Sequence, residues 1–330
     1  MKYRSVLLTK RGGPEVLRVV EFDFKPPGDN EVRIKVLACG VGLTDVAMRR
    51  SYYPLARRIP FVPGYEIIGE VQEIGKNVAG VRPGDLVGAL TIYGGYSEYI
   101  YVRPEHLVAV PRSIDPGEAV ALILNYTTAY QAIRRKAAAR RGDSAVIIGA
   151  SGGVGTALLD LGRLDGLKMY GIASARKHDT VRQFGAFPID YRSQDIVNAV
   201  LSKEPGGVDF VFDGVGGAYI KKSFSMLRPG GRLIEYGFPS FSGLLAGLMK
   251  LFFLNAVPHS GKRGEFYGIS ASYRRNKQPV LDDMATLFAL LEQKKIKPVI
   301  AKRMPLLDAA EANRILESGA VAGKIVLVAQ

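Results

Sequence analysis

One stretch constrains this chain more than any other: Ser144-Ala-Val-Ile-Ile-Gly-Ala-Ser-Gly-Gly-Val-Gly155. Val146, Ile147 and Ile148 form a continuous apolar run, the pattern of a strand covered on both faces. Ala150-x-Gly152-x-x-Gly155 then follows the dinucleotide-binding spacing, with alanine in the first place. Glycine at 152 lets the backbone approach a pyrophosphate, and glycine at 155 lets the next helix pack close to the strand. A helix from about 153 to 164 would aim its free N–H groups and positive dipole end at the phosphates. Ala150, Ser151, Gly152, Gly153, Val154 and Gly155 are therefore candidate phosphate-cradling residues. Glycines also serve ordinary turns; the strand before and the helix after give the pattern its weight.

The rest of the chain divides by texture. Residues 1 to about 122 read as β-rich. Val32-Arg-Ile-Lys-Val-Leu37 alternates apolar and polar like a half-buried strand. Gly64, Gly69, Gly75, Gly84, Gly88, Gly94 and Gly95 punctuate short segments, and Arg82-Pro-Gly-Asp85 reads as a turn. From about 124, strand-like runs at 145–149, 168–172, 208–212 and 231–236 alternate with helical segments. That alternation predicts a parallel doubly wound sheet. Its four apolar strands would be covered by helices such as 157–164, through Leu158, Leu159 and Leu161. Further helices are predicted at about 282–293 and 309–318, then a strand at Lys324-Ile-Val-Leu-Val328.

Composition removes several classes. The chain has 330 residues, 47% of them hydrophobic, enough for a large core and two domains. Val6-Leu7-Leu8 is too short for a signal segment. The longest apolar run, 244–257, is broken by Gly247, Lys250 and Asn255 and does not reach membrane-spanning length. A single cysteine, Cys39, excludes an internal disulfide framework and a four-cysteine zinc lobe. We therefore expect a cytoplasmic protein. The formal net charge is +14, with clusters at Arg49-Arg50, Arg57-Arg58, Arg134-Arg135-Lys136, Arg140-Arg141 and Arg274-Arg275. Solvated surface charge, cofactor phosphates and weak association with an anionic membrane surface are the competing readings. No nucleic-acid motif accompanies the charge, so no nucleic-acid partner is expected.

An acid about twenty residues after the glycines would bind the ribose 2′-hydroxyl of NAD. The second strand ends instead in Ala173-Ser-Ala-Arg-Lys177. Ser174, Arg176 and Lys177 offer the hydroxyl, charge and room that a 2′-phosphate needs, so NADPH is predicted over NADH. Asp179 follows a little further on, and a basic surface loop without a ligand is the ordinary alternative.

With these residues in view, the chain resembles the medium-chain dehydrogenase/reductase superfamily. The resemblance is to its zinc-free quinone oxidoreductase (zeta-crystallin) branch, and above all to the vesicle amine transport protein homologues. It covers almost the whole length. Its carriers are Ala38-Cys-Gly-Val, Pro63-Gly-Tyr-Glu, Gly84-Asp-Leu-Val, Gly95-Tyr-Ser-Glu-Tyr, Asn125-Tyr-Thr-Thr-Ala-Tyr130, Ala150 to Gly155, Ala173-Ser-Ala-Arg-Lys-His178, Ile189-Asp-Tyr191, Phe212-Asp-Gly-Val-Gly-Gly217 and Gly323-Lys-Ile-Val-Leu.

The resemblance implies an α/β protein in which a Rossmann dinucleotide-binding domain, 124–267, interrupts a β-rich GroES-like catalytic domain, 1–123 and 268–330. It implies an active site in the cleft between them and a homodimer. It implies that Ser174, Lys177 and Tyr191 hold the 2′-phosphate, and that Asn125 and Thr128 lie beside the cofactor. Gly214 and Val215 belong to the same cofactor set, with Gly237, Gly268 and Ile269 near the nicotinamide end.

Zinc alcohol dehydrogenases of the superfamily carry a cysteine where this chain has Gly42, and a histidine where it has Tyr65. Glycine offers no ligand atom and tyrosine is a poor match. His106, His178 and His259 are dispersed, so no metal is expected. Without that Lewis acid, conjugate hydride addition to a quinone, enone or enal is the expected reaction. Protein work would be mostly orientation and water exclusion. Tyr53, in Arg49-Arg-Ser-Tyr-Tyr-Pro54, is the candidate proton donor, with Tyr52 able to substitute and a packed loop aromatic as the alternative. Asp45 matches a family acid that would orient polar groups, or it is a helix-start residue. The family usually has asparagine at Gly42, so a hydrogen-bonding group is missing there. Cys39 reads as a small buried hydrophobe rather than a reactive thiol.

One segment supports a rival reading. Phe241-Ser-Gly-Leu-Leu-Ala-Gly-Leu-Met-Lys-Leu-Phe-Phe-Leu-Asn255 is apolar and is followed by Lys262-Arg263. Such a segment can bind an anionic lipid surface, as in a lipid-binding or transfer protein that retains an NADP-binding fold. Burial at a dimer interface or over the cofactor is the alternative.

Overall fold

The computed structural model describes residues 1–256 and 261–330. The chain forms two compact units, one of residues 1–127 with 273–330 and one of residues 128–272. His259 and Val257 lie outside the described residues.

The unit 128–272 is built on a six-stranded, wholly parallel sheet. Its order is Phe187–Asp190, Lys168–Ala173, Ser144–Ile148, Val208–Asp213, Leu227–Glu235, Arg263–Phe266. In chain order this is 3-2-1-4-5-6, the doubly wound arrangement whose strand order reverses beside Ser144–Ile148. Every residue of Ser144–Ile148 is buried, as its unbroken apolar run requires. The helix Gly153–Asp165 covers the sheet with Leu158, Leu159 and Leu161, each at most 1% exposed. Burying each such leucine contributes roughly 1.5–3 kcal/mol. Val146, Ile148, Tyr170, Ile172, Ile189, Val211 and Leu233 share a core with Ile220 and Phe224 of the helix Tyr219–Met226.

Sequence reading found four strands here, and the structure adds two at the edges. Phe187–Asp190 and Arg263–Phe266 are short, one carrying Pro188 and the other Arg263 and Glu265. Edge strands tolerate proline and charge because one side is unpaired, which erases the apolar signature.

The unit 1–127 with 273–330 is β-rich. Its seven-stranded sheet runs Ile300–Pro305, Lys324–Val328, Val32–Val41, Ile67–Ile74, Leu86–Ala89, Leu107–Ala109, with Tyr99–Val102 also on Val32–Val41. Lys2–Leu8 and Leu17–Asp23 form a separate antiparallel pair. Val32, Ile34 and Val36 are buried as the alternation predicts, and Arg33 and Lys35 point away. The pattern then breaks: Ala38, Cys39, Gly40 and Val41 are all buried where Lys324–Val328 pairs alongside. The helices Gln278–Glu292 and Ala309–Glu317 match their expected places. Arg49 departs from the reading of its cluster as surface charge. It is fully buried, donating to Gly12 O and pairing with Glu317.

At the carboxyl end of Leu227–Glu235, Glu235 is 1% exposed and neither of its carboxylate oxygens has a hydrogen-bond partner. Burial, then the charge of Asp213, pushes its pKa up to about 8, against a partial pull from Lys250. The unfolded chain releases this proton near pH 4.5, while the fold retains it to about 8. Stability contributed by the neutral acid is therefore lost as pH rises through that window. Glu235→Gln is expected to flatten the fall in stability between these pH values, checked by urea unfolding at several pH values; an unchanged slope would contradict it.

Candidate functional site

In the unit 128–272, the candidate cofactor residues line the carboxyl ends of the parallel strands. Gly152 is the N-cap of the helix Gly153–Asp165, with no side-chain cap hydrogen bond. The first turn therefore keeps amides for an external acceptor. Gly155 and Gly152 have different reasons to be glycine. A Cβ on Gly155 would lie 2.2 Å from Gly149 O, so a side chain would drive helix from strand. A Cβ on Gly152 would meet only Gly149 O, at 3.4 Å, and the residue is exposed. Packing does not require glycine at 152; the open space beside it fits a closely approaching phosphate.

Gly214 N donates to Ile148 O at 3.2 Å, carrying the next turn alongside the first. Asp213, buried, fixes that turn by accepting from Val215 N (2.8 Å) and Gly216 N (2.9 Å). Val215 is exposed, and its Cγ2 would lie 3.8 Å from a Cβ on Gly149. Gly237 follows the fifth strand, and Gly268 and Ile269 follow the sixth, on the same edge. Ligands of open parallel sheets bind at this edge, where strand order reverses.

Ser174, Arg176 and Lys177 occupy the turn after Lys168–Ala173, and Tyr191 the turn after its neighbour Phe187–Asp190. Asp190 ties the two turns together, accepting from Arg192 N (3.1 Å), Ser193 Oγ (3.0 Å) and the Ala175 amide. Burial, and then the charges of Arg176 and Arg192, push the Lys177 ammonium below its ordinary range. Three cations thus crowd one edge of the sheet, as an anion site requires. Arg192 lies over the Tyr191 ring at 5.7 Å. Sequence reading missed it, although it directly follows Tyr191. Asp179, the acid that left NADH open, is 97% exposed and paired with Arg182 at 2.8 Å.

Where the chain passes between units, helical geometry is irregular. Asn125 sits in the π-helical turn Leu122–Tyr126, Thr128 in Thr127–Tyr130, and a second π-helical stretch follows at Gln131–Ala137. Such turns concentrate at functional sites. The Thr128 hydroxyl is buried without a hydrogen-bond partner, a group that a bound ligand would satisfy.

The other candidate residues belong to a buried polar network in the β-rich unit. Asp45, 1% exposed in the helix Leu43–Arg49, accepts from Gly42 N (2.9 Å) and Gly64 N (3.1 Å). Burial raises its carboxyl to about 6 against those bonds and the charge of Lys324. Tyr53 Oη lies 2.6 Å from Tyr65 Oη, with the rings at 88°. Glu66, fully buried, pairs with Lys324 and accepts from Leu124 N at 2.6 Å. Burial, then the charges of Asp45 and Glu66, hold the Cys39 thiol well above its ordinary range, so it stays unreactive at neutral pH. Sequence reading also passed over Thr44. Its hydroxyl is buried without a partner, 3.1 Å from where a Cβ on Gly42 would lie.

Residues 28–112 match the family described as "Alcohol dehydrogenase GroES-like domain", and residues 184–327 the family described as "Zinc-binding dehydrogenase". The chain is 31% identical to the synaptic vesicle membrane protein VAT-1 homolog of Rattus norvegicus, over 98% of this chain and 84% of that one. It is 30% identical to the quinone oxidoreductase of Homo sapiens, over 98% and 97%. The structure of Escherichia coli quinone oxidoreductase complexed with NADPH is similar at TM-score 0.89 and 27% identity, over 98% and 99%.

The chain belongs to the medium-chain dehydrogenase/reductase superfamily. Its relatives are the quinone oxidoreductases and the VAT-1 homologues of that superfamily. The zinc of the second family's description does not fit the residues this member carries. Gly42 has no donor atom, the Tyr65 hydroxyl is engaged with Tyr53, and the Glu66 carboxylate with Lys324. Among the described residues no group of three or more His, Cys, Asp or Glu could hold a metal ion. His106 Nδ1 is bonded to Tyr273 Oη (2.7 Å), and His178 Nε2 faces Ala173 O (3.3 Å).

The two glycines of the turn 149–155 should separate on mutation. Gly155→Ala is expected to cost about 1–3 kcal/mol of stability through overpacking. Gly152→Ala should leave stability within about 0.5 kcal/mol and weaken nicotinamide-nucleotide binding at least roughly tenfold, the size of a few lost backbone contacts. Thermal unfolding and a fluorescence titration of each variant check both statements.

Proposed function

We propose that this family member is a zinc-independent, NADPH-dependent reductase that transfers hydride to quinones or α,β-unsaturated carbonyls. The observation that carries this is the Arg176, Lys177 and Arg192 cluster beside Ser174 and Tyr191, with Asp179 engaged elsewhere. A 2′-phosphate would relieve the mutual repulsion of those cations. In support, one similar structure is a quinone oxidoreductase complexed with NADPH, and relatives are named quinone oxidoreductases. When bound, the cofactor supplies the hydride. Residues 150–155 with Gly214 and Val215 would cradle its pyrophosphate. Gly237, Gly268, Ile269, Asn125 and Thr128 would serve its nicotinamide end. Tyr53 would deliver the proton, and Asp45 would orient it indirectly by holding Gly64, the residue before Tyr65. A homodimer in the cytoplasm belongs to this reading. NADPH should bind at least tenfold more tightly than NADH; the double variant Arg176→Ala, Lys177→Ala should lose roughly 10- to 100-fold for NADPH alone. Equal affinity for the two nucleotides would overturn the reading. An NADPH-oxidation screen over quinones and short enones then identifies the acceptor.

A second reading rests on the helix Phe241–Asn255. Only Leu244, Gly247 and Leu251 of it are buried. Phe241, Leu245, Leu248, Met249, Phe252 and Phe253 are exposed, at 43–70%, most of all Phe252 (70%) and Phe253 (61%). The helix carries no acid, its one charge is Lys250, and exposed Arg263 follows. No helix among the described residues is long and apolar enough to cross a membrane. We propose that this stripe rests on an anionic lipid surface, as an interfacial helix does. Co-sedimentation with phosphatidylserine vesicles should be lost on Phe252→Ser, Phe253→Ser; absence of wild-type binding, with a dimer that dissociates in that variant, would instead assign the stripe to a second copy.

A further inference from the structure

Tyr65, at the place where zinc alcohol dehydrogenases of the superfamily carry histidine, is held in a closed polar environment. Tyr65 is fully buried, on a segment locked from several sides. Asp45 holds Gly64 N, Ile92 N donates to Tyr65 O (3.0 Å), Tyr96 N donates to Pro63 O (2.9 Å), and the next residue, Glu66, is fixed by Lys324. Tyr53 sits on a turn in which Tyr53 N donates to Ala47 O (3.2 Å) and Ala56 N to Tyr53 O (3.1 Å). The two hydroxyls meet at 2.6 Å.

We infer that Tyr65 is a positioning residue for reduction: its hydroxyl fixes Tyr53 and donates to the Tyr53 oxygen when that phenol gives up its proton. The inference rests on the reductase reading, with Tyr53 as the donor. Burial, and then the charge of Tyr53, hold the Tyr65 phenol well above its ordinary range. Tyr65 therefore keeps its proton and can only be the donor to a Tyr53 phenolate. When bound, the cofactor would supply hydride to the β-carbon of an enone and be oxidised, leaving the electron pair on the carbonyl oxygen as an enolate. The Tyr53 O–H bond breaks and its proton passes to the enolate. The phenolate left behind accepts from Tyr65 O–H, and water returns the proton. A hydrogen bond to a charged oxygen is stronger than one to a neutral oxygen, so Tyr65 favours the state in which the proton has left.

The test is Tyr65→Phe, which keeps the ring and removes the hydroxyl, set in a cycle with Tyr53→Phe. Tyr65→Phe should lower kcat about 10- to 100-fold, the effect of one charge-assisted hydrogen bond, leave NADPH affinity and acceptor KM unchanged, and raise the basic limb of the kcat–pH profile. In a Tyr53→Phe background the same change should have no further effect, because Tyr65 acts through Tyr53. An equal loss in both backgrounds, or an unchanged kcat in the wild-type background, would overturn the inference. A readout without turnover judges the pair as well: the Tyr53 Cζ resonance of 13C-tyrosine protein, assigned with Tyr53→Phe, should titrate at higher pH in Tyr65→Phe. No shift overturns the pairing. Failure of wild type to oxidise NADPH with any acceptor while that shift is observed overturns the reductase reading and leaves the pairing supported.

Discussion

The distance between the helix Gly153–Asp165 and the strand before it governs the cofactor end of the molecule. The missing side chain at Gly155 permits the helix to sit against Gly149 O. That approach seals Leu158, Leu159 and Leu161 over the sheet, and it also brings the helix N-terminus to the carboxyl end of Ser144–Ile148. One close contact thus sets both the packing and the place of the open helix N-terminus. The neighbouring turns follow, because parallel register places Asp213 beside Ile148 and Glu235 beside Asp213.

The β-rich unit depends on buried charge instead. Glu66 and Lys324 are both nearly inaccessible and pair with one another, and Glu66 also takes the Leu124 amide. A buried pair gives little net stability, but removing one partner strands the other charge. The pair therefore specifies where the segment 63–66 sits more than it strengthens the fold. Asp45 works the same way through Gly42 and Gly64. The positions of Tyr65 and Tyr53 are consequences of these two anchors.

The excess of positive charge divides into unlike parts. Arg134 pairs with Asp165, Lys136 with Glu265, and Arg49 is buried against Glu317. The first two pairs, open to solvent, add little to stability. Arg176 and Arg192 instead act on Lys177 with charge of the same sign, and repulsion of that kind is what an anion would relieve.

The local sequence determined the parallel sheet, the glycine turn, the helix after it and the basic end of the second strand. Each of these is written in neighbouring residues, as an apolar run, a glycine spacing or a missing acid. Asn125, Thr128, Gly214, Val215, Gly237, Gly268, Ile269 and Tyr191 could be named through family resemblance, but nothing local shows what they adjoin. Tertiary structure alone decided that Arg192 joins Lys177, that Arg49 is buried and that Tyr65 meets Tyr53. Those contacts join residues from separate turns or strands, and no periodicity in a chain encodes them. The short edge strands were hidden for a related reason: with one side unpaired, Phe187–Asp190 and Arg263–Phe266 need no apolar pattern, and only their neighbours in the sheet make them strands.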